Sequence, residues 1–273
     1  MTKSCRFFLF ILASFFLLMA SASCSGYGGL KFTDYQYEDS VHLFHRSDFP
    51  FCRYSLNLKV ADRADEEGLA DYVNSVLLEE IFPGVEQTLP DVDAAARSAW
   101  KDYQDHYRED LEDIIQDAVD EGEPIEDNLA VWMGYYRYIT TRVAFQKDEH
   151  LCMEVMVEDY TGGAHEYAYS QMLNMDLKNR KVLSLEDLFT DDFLETLCDR
   201  ILERLLKDYR ASDLEELEDK GIGVLGPIEP SNNFILTDKT ITFIFNPYDI
   251  ASWADGRIDV ELELSDLKDI LKP

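Results

Sequence analysis

The chain has 273 residues, of which 46% are hydrophobic, 12% aromatic and 29% charged. This composition is typical of a globular protein and excludes a disordered, collagen-like or disulfide-dense chain. The 55 Asp and Glu residues outnumber the 25 Lys and Arg residues, which gives a formal net charge of −30. Because so acidic a chain repels phosphate backbones, we expect no nucleic-acid partner.

The N-terminus has the pattern of a secretory signal peptide. Lys3 and Arg6 form a short basic region, and residues 7–20 form an apolar run interrupted only by Ser14. This run is shorter than the roughly 20 residues of a membrane-spanning helix, and it fits the apolar region of a signal peptide. We therefore predict that residues 1–23 are removed, which changes the net charge from −30 to −32.

Cys24 is the predicted site of a lipid anchor. It follows a run of small residues, as the modified cysteine of bacterial lipoproteins does, although Ser21 stands where that motif usually has Leu. Cleavage after residues 20–22 by an ordinary signal peptidase is the alternative. The favoured prediction is a lipidated Cys24 and a short tether over residues 24–30, which would hold the protein on a membrane of the bacterial cell envelope, facing the periplasm or the cell surface.

Strand and helix patterns then follow one another. Residues 52–60 alternate apolar and polar side chains, which predicts a half-buried strand. Residues 65–82 and 91–121 repeat apolar side chains at steps of three and four, which predicts two amphipathic helices. Residues 130–146 are rich in aromatic and β-branched side chains and predict another strand. We therefore expect a first α+β unit over residues 31–147.

The C-terminal half has a similar mixture of patterns. Residues 151–158 alternate, and strand-like residues continue to residue 176 after a Gly-Gly pair, which predicts a hairpin. The spacing of Ser184 and Asp187 predicts a helix N-terminus. The remaining predicted elements are a helix at 191–209, strands at 234–236, 240–245 and 257–264, and a last helix capped by Ser265. We therefore expect a second α+β unit over residues 148–273, with antiparallel strands packed against amphipathic helices in each of two modest units.

The sequence contains no motif of a metal or cofactor site. It has no Cys-x-x-Cys, no paired Cys–His spacing, no phosphate-binding loop and no dinucleotide-binding glycine pattern, so we expect no structural zinc and no cofactor. After lipidation of Cys24, three cysteines allow at most one internal disulfide. Burial as small apolar side chains is the favoured state of all three: Cys52, Cys152 and Cys198.

His165 is the first candidate for chemistry. It follows Gly162 and Gly163, which permit positive φ or close approach of a ligand. The run from His165 to Tyr169 resembles the zinc-protease motif His-Glu-x-x-His, but Tyr169 replaces the second histidine, so a metalloprotease is excluded. His165 either contacts a ligand or hydrogen-bonds the adjoining backbone of the turn, and both interpretations stay open.

No other motif indicates a reaction. The sequence has no Gly-x-Ser-x-Gly nucleophile motif, and acidic residues spread along helix faces are typical of a solvated surface. Three aromatic residues of one predicted strand either line a sugar groove or divide between the two faces of that strand: Tyr135, Tyr136 and Tyr138.

The hexapeptide Tyr-Thr-Gly-Gly-Ala-His at residues 160–165 resembles the signature of a bacterial family called domain of unknown function 3298. Further blocks follow in the family's order at residues 174–177, 183–189 and 243–251, so the resemblance covers about residues 155–265. Residues 51–147 resemble a companion family, domain of unknown function 4163. The resemblance implies an α+β domain outside the cytoplasm, similar to the outer half of a lysozyme-binding anti-sigma factor and to the module that precedes some peptidoglycan deacetylases.

We expect only the recognition half of such proteins, because six residues precede the apolar run and nine follow the last predicted strand. The predicted function is a non-catalytic lipoprotein that binds a cell-wall glycan or a basic wall-active protein such as lysozyme. One alternative is an enzyme acting on peptidoglycan, with His165 as acid or base beside Glu166 or Asp249. Another is a structural envelope protein without a ligand. The predicted contact residues are Tyr160, Gly162, Gly163, His165, Tyr248 and Asp249.

Overall fold

The computed structural model describes residues 27–47, 49–83, 91–120 and 133–273. Within these residues, nine strands form two sheets and five α-helices accompany them, so the predicted α+β class is confirmed. The strands are β1 (Lys31–His42), β2 (Phe51–Arg63), β3 (Tyr135–Lys147), β4 (His150–Thr161), β5 (Tyr167–Asp176), β6 (Lys181–Val182), β7 (Phe234–Leu236), β8 (Thr240–Phe245) and β9 (Ile258–Glu263). The helices are α1 (Leu69–Ile81), α2 (Val92–Asp120), α3 (Leu185–Leu188), α4 (Phe193–Tyr209) and α5 (Leu214–Asp219).

Strands β1 to β6 lie side by side in chain order, and every neighbouring pair is antiparallel except β2 and β3. Parallel neighbours need a long crossover connection, because the chain must return to the starting end of the sheet. Helices α1 and α2 lie in this connection. The sequence did contain a signal for the parallel pair, because two helices were predicted between the strands that form it. The prediction of antiparallel strands did not include this pair.

The larger hydrophobic core lies between α1, α2 and one face of the six-stranded sheet. The alternating residues of β2 point into it, as the sequence predicts, and the ring of Tyr54 lies 6.2 Å from that of Trp100 and 5.7 Å from that of Tyr103. Burial of each such apolar side chain contributes about 1.5–3 kcal/mol. Because the helices cover this face, side chains such as the exposed Asn57 occupy the opposite one, which we call the open face.

A second core lies between α4 and the sheet β7–β8–β9, where Leu197 and Ile201 pack in one cluster with Phe243 and Val260. The predicted boundary between residues 147 and 148 lies in the β3–β4 turn. It does not separate the two cores, because β3 and β4 pair along their length within one sheet. The cores divide after Leu177. We therefore call residues 27–182 the N-terminal unit and residues 183–273 the C-terminal unit.

Some local predictions can be compared directly with the structure. Ser184 and Asp187 form the predicted capping box at the start of α3. The prediction of a last helix beginning at Ser265 is wrong, because residues after the short turn Leu264–Asp266 approach another segment instead: Leu271 forms a bridge with Phe189. The predicted signal peptide and Cys24 lie outside the described residues. Within the described residues, no helix is long and apolar enough to span a bilayer.

The three described cysteines are free thiols. Cys52 and Cys152 are fully buried, and Cys198 is partly buried, in agreement with the prediction that they pack as apolar side chains. Burial raises the pKa of the Cys52 and Cys152 thiols to about 12, because the thiolate would lose its hydration. Neither thiol is therefore a reactive nucleophile near neutral pH.

The two units join along the outer edge of β5, which β6 leaves uncovered over most of its length. Asn233 accepts a hydrogen bond from the main-chain N–H of Met172 (2.9 Å) and donates one to the carbonyl of Ser170 (2.8 Å). Asn246 accepts from the N–H of Ser170 (2.8 Å) and donates to its carbonyl (3.1 Å). These side-chain amides therefore satisfy the backbone groups that another strand would otherwise pair.

Asn174 makes the reciprocal contact from β5. Its side chain donates to the carbonyl of Phe234 (2.5 Å) and accepts from the N–H of Leu236 (3.2 Å). A small apolar cluster from both units packs beside these amides: Cys152, Met172 and Ile244. The junction therefore combines apolar packing with hydrogen bonds, and we call this set of asparagine contacts the asparagine junction.

Replacing Asn233 by Ala is expected to lower the free energy of unfolding by about 1–3 kcal/mol, because the buried N–H of Met172 loses its acceptor. Urea denaturation followed by circular dichroism measures this change. The matched control is Asn57→Ala on the exposed part of β2, for which we expect less than about 0.5 kcal/mol. Equal effects of the two substitutions would show that the asparagine junction does not stabilise the fold.

Candidate functional site

Three tyrosine rings stand in a row on the open face. The register of β3 and β4 places Tyr136 opposite Tyr160, and Tyr138 is two residues further along the same face. Tyr136 stacks on Tyr138 with ring centroids 4.9 Å apart and on Tyr160 with centroids 5.5 Å apart. Tyr135 is buried on the opposite face, where its hydroxyl donates to Asp110 (3.0 Å). We call the first three residues the tyrosine row.

The loop after β4 leads away from this row. Gly162 and Gly163 have φ values of 88° and 105°, a region that favours glycine. The hydroxyl of Tyr160 donates to the carbonyl of Gly163 (2.9 Å), which links the loop to the end of β4. Residues 162–166 thus form the connection of the predicted β4–β5 hairpin, and the loop carries His165 to the C-terminal unit.

His165 contacts two aromatic residues of the C-terminal unit. Its ring stacks on Trp253 with centroids 4.4 Å apart and an interplanar angle of 13°. Its Nδ1 lies 3.3 Å from the carbonyl of Glu166, and its Nε2 lies 3.0 Å from the hydroxyl of Tyr248. Because a carbonyl can only accept, Nδ1 donates to it, and in the neutral ring the Tyr248 hydroxyl donates to Nε2. The structure therefore brings together the predicted contact residues His165 and Tyr248.

Tyr248 and Asp249 lie in the turn that follows β8. The Asp249 carboxylate accepts from the main-chain N–H of Asn246 (2.7 Å), so this predicted contact residue stabilises the turn. Tyr248 has a φ of 75°, in the left-handed region that costs a residue with a side chain about 1–3 kcal/mol. Its N–H donates to the carbonyl of Ala251 (3.0 Å). The strained turn directs an exposed tyrosine ring toward His165.

A cleft of about 300 Å³ lies between the open face and the C-terminal unit. Glu158 and Glu166 line it from the N-terminal unit, and Asn246, Trp253 and Arg257 line it from the C-terminal unit. Its volume is at the lower end of the range typical of small-molecule sites, roughly 300–1,000 Å³. We call it the interunit cleft. Both units are needed to form it.

A buried carboxylate anchors one wall of this cleft. Glu154 is completely buried, pairs with Arg142 on the neighbouring strand and accepts a hydrogen bond from Arg257 (2.5 Å). Arg257 also donates to Asp259 (2.6 Å) and to the hydroxyl of Ser170 (3.2 Å). Asp259 first, and Glu154 after it, raise the pKa of the Arg257 guanidinium. The charge of Arg257 is therefore balanced within the protein.

Three residues of the cleft were not predicted as site residues: Trp253, Arg257 and Glu158. The spacing of Ser252 and Asp255 was a usable signal for the turn that carries Trp253, since these residues form a capping box. The sequence carried no signal that Trp253 would meet His165, because that contact depends on how the two units pack. Within the described residues, no group of three or more His, Cys, Asp and Glu residues could hold a metal ion.

The fold defines a two-unit α+β protein with a cleft between its units. Comparisons with known proteins find a family match within the C-terminal unit. Residues 186–265 match the family model described as "Protein of unknown function (DUF3298)". The predicted resemblance is thereby confirmed for this part of the chain, which carries a DUF3298 domain. The matched segment begins after the hexapeptide at residues 160–165. A comparison with curated proteins finds no match.

Two solved structures are similar over nearly the whole chain. A member of the DUF3298 family from Bacteroides fragilis has 29% sequence identity and a TM-score of 0.82, with 91% of this chain and 96% of that one covered. A DUF3298 family protein from Pseudomonas aeruginosa has 19% identity and a TM-score of 0.58, with 89% of this chain and 95% of that one covered. The second likeness shows the fold alone. Both similarities include the N-terminal unit.

Replacing His165 by Ala is expected to lower the free energy of unfolding by less than about 1 kcal/mol, because its hydrogen bonds and ring contacts are solvent-exposed. Tyr248→Phe, which removes only the hydroxyl, is the matched control and should change it by less than about 0.5 kcal/mol. Urea denaturation measures both. A loss of more than 2 kcal/mol for His165→Ala would mean that His165 serves as a scaffold of the loop.

Proposed function

We propose that this protein is a non-catalytic recognition module of the bacterial cell envelope, and that the interunit cleft binds a cell-wall glycan. The observation that carries the proposal is the position of Trp253, which lines a cleft that both units form and stacks on His165. Tyr248 contacts His165 beside this cleft. Aromatic side chains beside a few polar groups are typical of ligand sites. The strained backbone of Tyr248 gives further support, since such strain is concentrated at functional sites.

The chemistry of the cleft suits a sugar. The C–H face of a pyranose ring packs on an aromatic ring, and Trp253 offers the largest aromatic surface among the residues that line the cleft. The hydroxyl groups of a sugar need hydrogen-bond partners of both kinds. Glu158 can accept, Arg257 can donate, and the side-chain amide of Asn246 can do both.

The cellular location is part of the same proposal. Residues 1–23 have the pattern of a signal peptide, and Cys24 is the proposed lipidation site, so the protein would act at a membrane of the envelope. We also propose that the N-terminal unit resembles domain of unknown function 4163, the companion family. A wall glycan is the polymer that an anchored protein of this kind meets within the reach of its tether.

The position of His165 favours binding over catalysis. Both of its ring nitrogens have protein partners, and the Asp249 carboxylate is engaged with the backbone of its own turn. An enzyme that used His165 as acid or base would need one nitrogen free to reach the substrate. The enzymatic alternative predicts new fragments or released acetate when the protein is incubated with peptidoglycan, and our proposal predicts neither.

Titration of residues 25–273 with a hexamer of N-acetylglucosamine, followed by isothermal calorimetry, tests the proposal. We expect binding, and we expect Trp253→Leu to weaken it at least tenfold, which corresponds to about 1.4 kcal/mol. Tyr167→Leu is the matched control, because Tyr167 is an exposed aromatic residue that does not line the cleft. Absence of binding to the hexamer and to peptidoglycan fragments would contradict the proposal and favour a structural protein without a ligand.

A basic wall-active protein such as lysozyme is the second candidate ligand. The observation in its favour is the net charge of −30, which would accelerate the encounter with a basic partner. Binding to hen lysozyme should be measured at low and at physiological salt. Binding that persists at physiological salt would support a specific interface, whereas binding at low salt alone would show charge attraction only.

A further inference from the structure

Two carboxylates on the N-terminal side of the interunit cleft lack a cationic partner. Glu158 points from β4 toward the open face, and Glu166 lies in the loop before β5. Over residues 27–47, 49–83, 91–120 and 133–273, neither carboxylate forms a hydrogen bond or an ion pair. An ionised carboxylate at the wall of a cleft is a ready acceptor for a cationic group.

The cationic side chain in the lining of the cleft is already engaged. Arg257, which lines the same cleft, binds Glu154 and Asp259, and Arg142 on β3 pairs with Glu154. Two arginines thus face two carboxylates within the protein. The uncompensated charge of the cleft is therefore negative, and it comes from Glu158 and Glu166.

The two carboxylates lie close to the tyrosine row. The register of β3 and β4 places Glu158 directly opposite Tyr138. The pKa of Tyr136 is raised first by burial and then by the charges of Glu166 and Glu158. Ring faces of Tyr and Trp attract cations, because their π-electrons carry negative charge. Trp253 presents such a ring to the same cleft. The carboxylates and the aromatic rings would therefore stabilise the same kind of ligand group, an ammonium.

We propose that the interunit cleft selects sugar units that carry a free amino group, as in glucosamine, over their N-acetylated forms, with Glu158 and Glu166 as the residues that determine this specificity. The inference rests on the proposed function and narrows its ligand. N-acetylation removes the positive charge, so an acetylated unit leaves both carboxylates unpaired. A lysine side chain carries the same ammonium, but it has no ring to pack on Trp253.

Calorimetric titration of the wild-type protein with two hexamers, one of glucosamine and one of N-acetylglucosamine, tests this inference at physiological salt. We expect the glucosamine hexamer to bind at least tenfold more tightly. If the N-acetylglucosamine hexamer binds equally well or better, the inference is overturned and the proposed function stands. If neither hexamer binds, the inference and the proposed function both fail.

Variants separate local recognition from the attraction of a basic polymer to an acidic protein. Glu158→Gln and Glu166→Gln should each reduce the preference for the glucosamine hexamer at least fivefold. The matched control is Glu109→Gln on α2, an exposed carboxylate outside the cleft that changes the net charge by the same amount. Equal losses in all three variants would overturn the inference, since they would show that only net charge matters.

A lysine peptide distinguishes the amino sugar from the ammonium alone. Trilysine and a glucosamine trimer are each tested as competitors for the cleft. Trilysine should displace the glucosamine hexamer at least tenfold less effectively than the trimer does. Equal competition would contradict the amino-sugar assignment and indicate that the cleft accepts basic protein side chains.

Discussion

The asparagine junction at the edge of β5 is the constraint on which the candidate site depends. An uncovered strand edge exposes backbone donors and acceptors, and here the side chains of Asn233 and Asn246 satisfy them. Buried amides of this kind have strict geometry, because an unsatisfied group costs about 1–3 kcal/mol. The junction therefore holds the second sheet at one position and orientation beside the first.

The interunit cleft is a consequence of that position. The C-terminal unit covers the part of the open face around Glu154 and leaves the part around Glu158 accessible. Arg257 connects the two regions, because its guanidinium reaches the buried Glu154 while the residue also lines the cleft. Arg257 and Arg142 together compensate the buried charge of Glu154, which would be costly to bury unpaired.

Local elements such as β2 and α4 were predictable from the sequence, because the side of each element that faces the core sets its apolar periodicity. The unit boundary was predicted at residue 147 because a hairpin turn and a linker have similar local sequences. Pairings between units left no signal in a single sequence: His165 and Tyr248 are 83 positions apart, and Arg257 and Glu154 are 103 apart. His165 was a candidate from the sequence because the preceding glycines mark an unusual loop, and its role as a contact residue stays a prediction.

The most direct test of the central claim, that residues of both units form one binding site, is to map backbone amide chemical shifts by NMR during titration with a glycan hexamer. The account predicts that perturbed amides cluster in residues 156–170 and in residues 246–257, the two segments that line the interunit cleft. Saturable shifts confined to one unit, or located on α1 and α2 on the opposite side of the sheet, would contradict it.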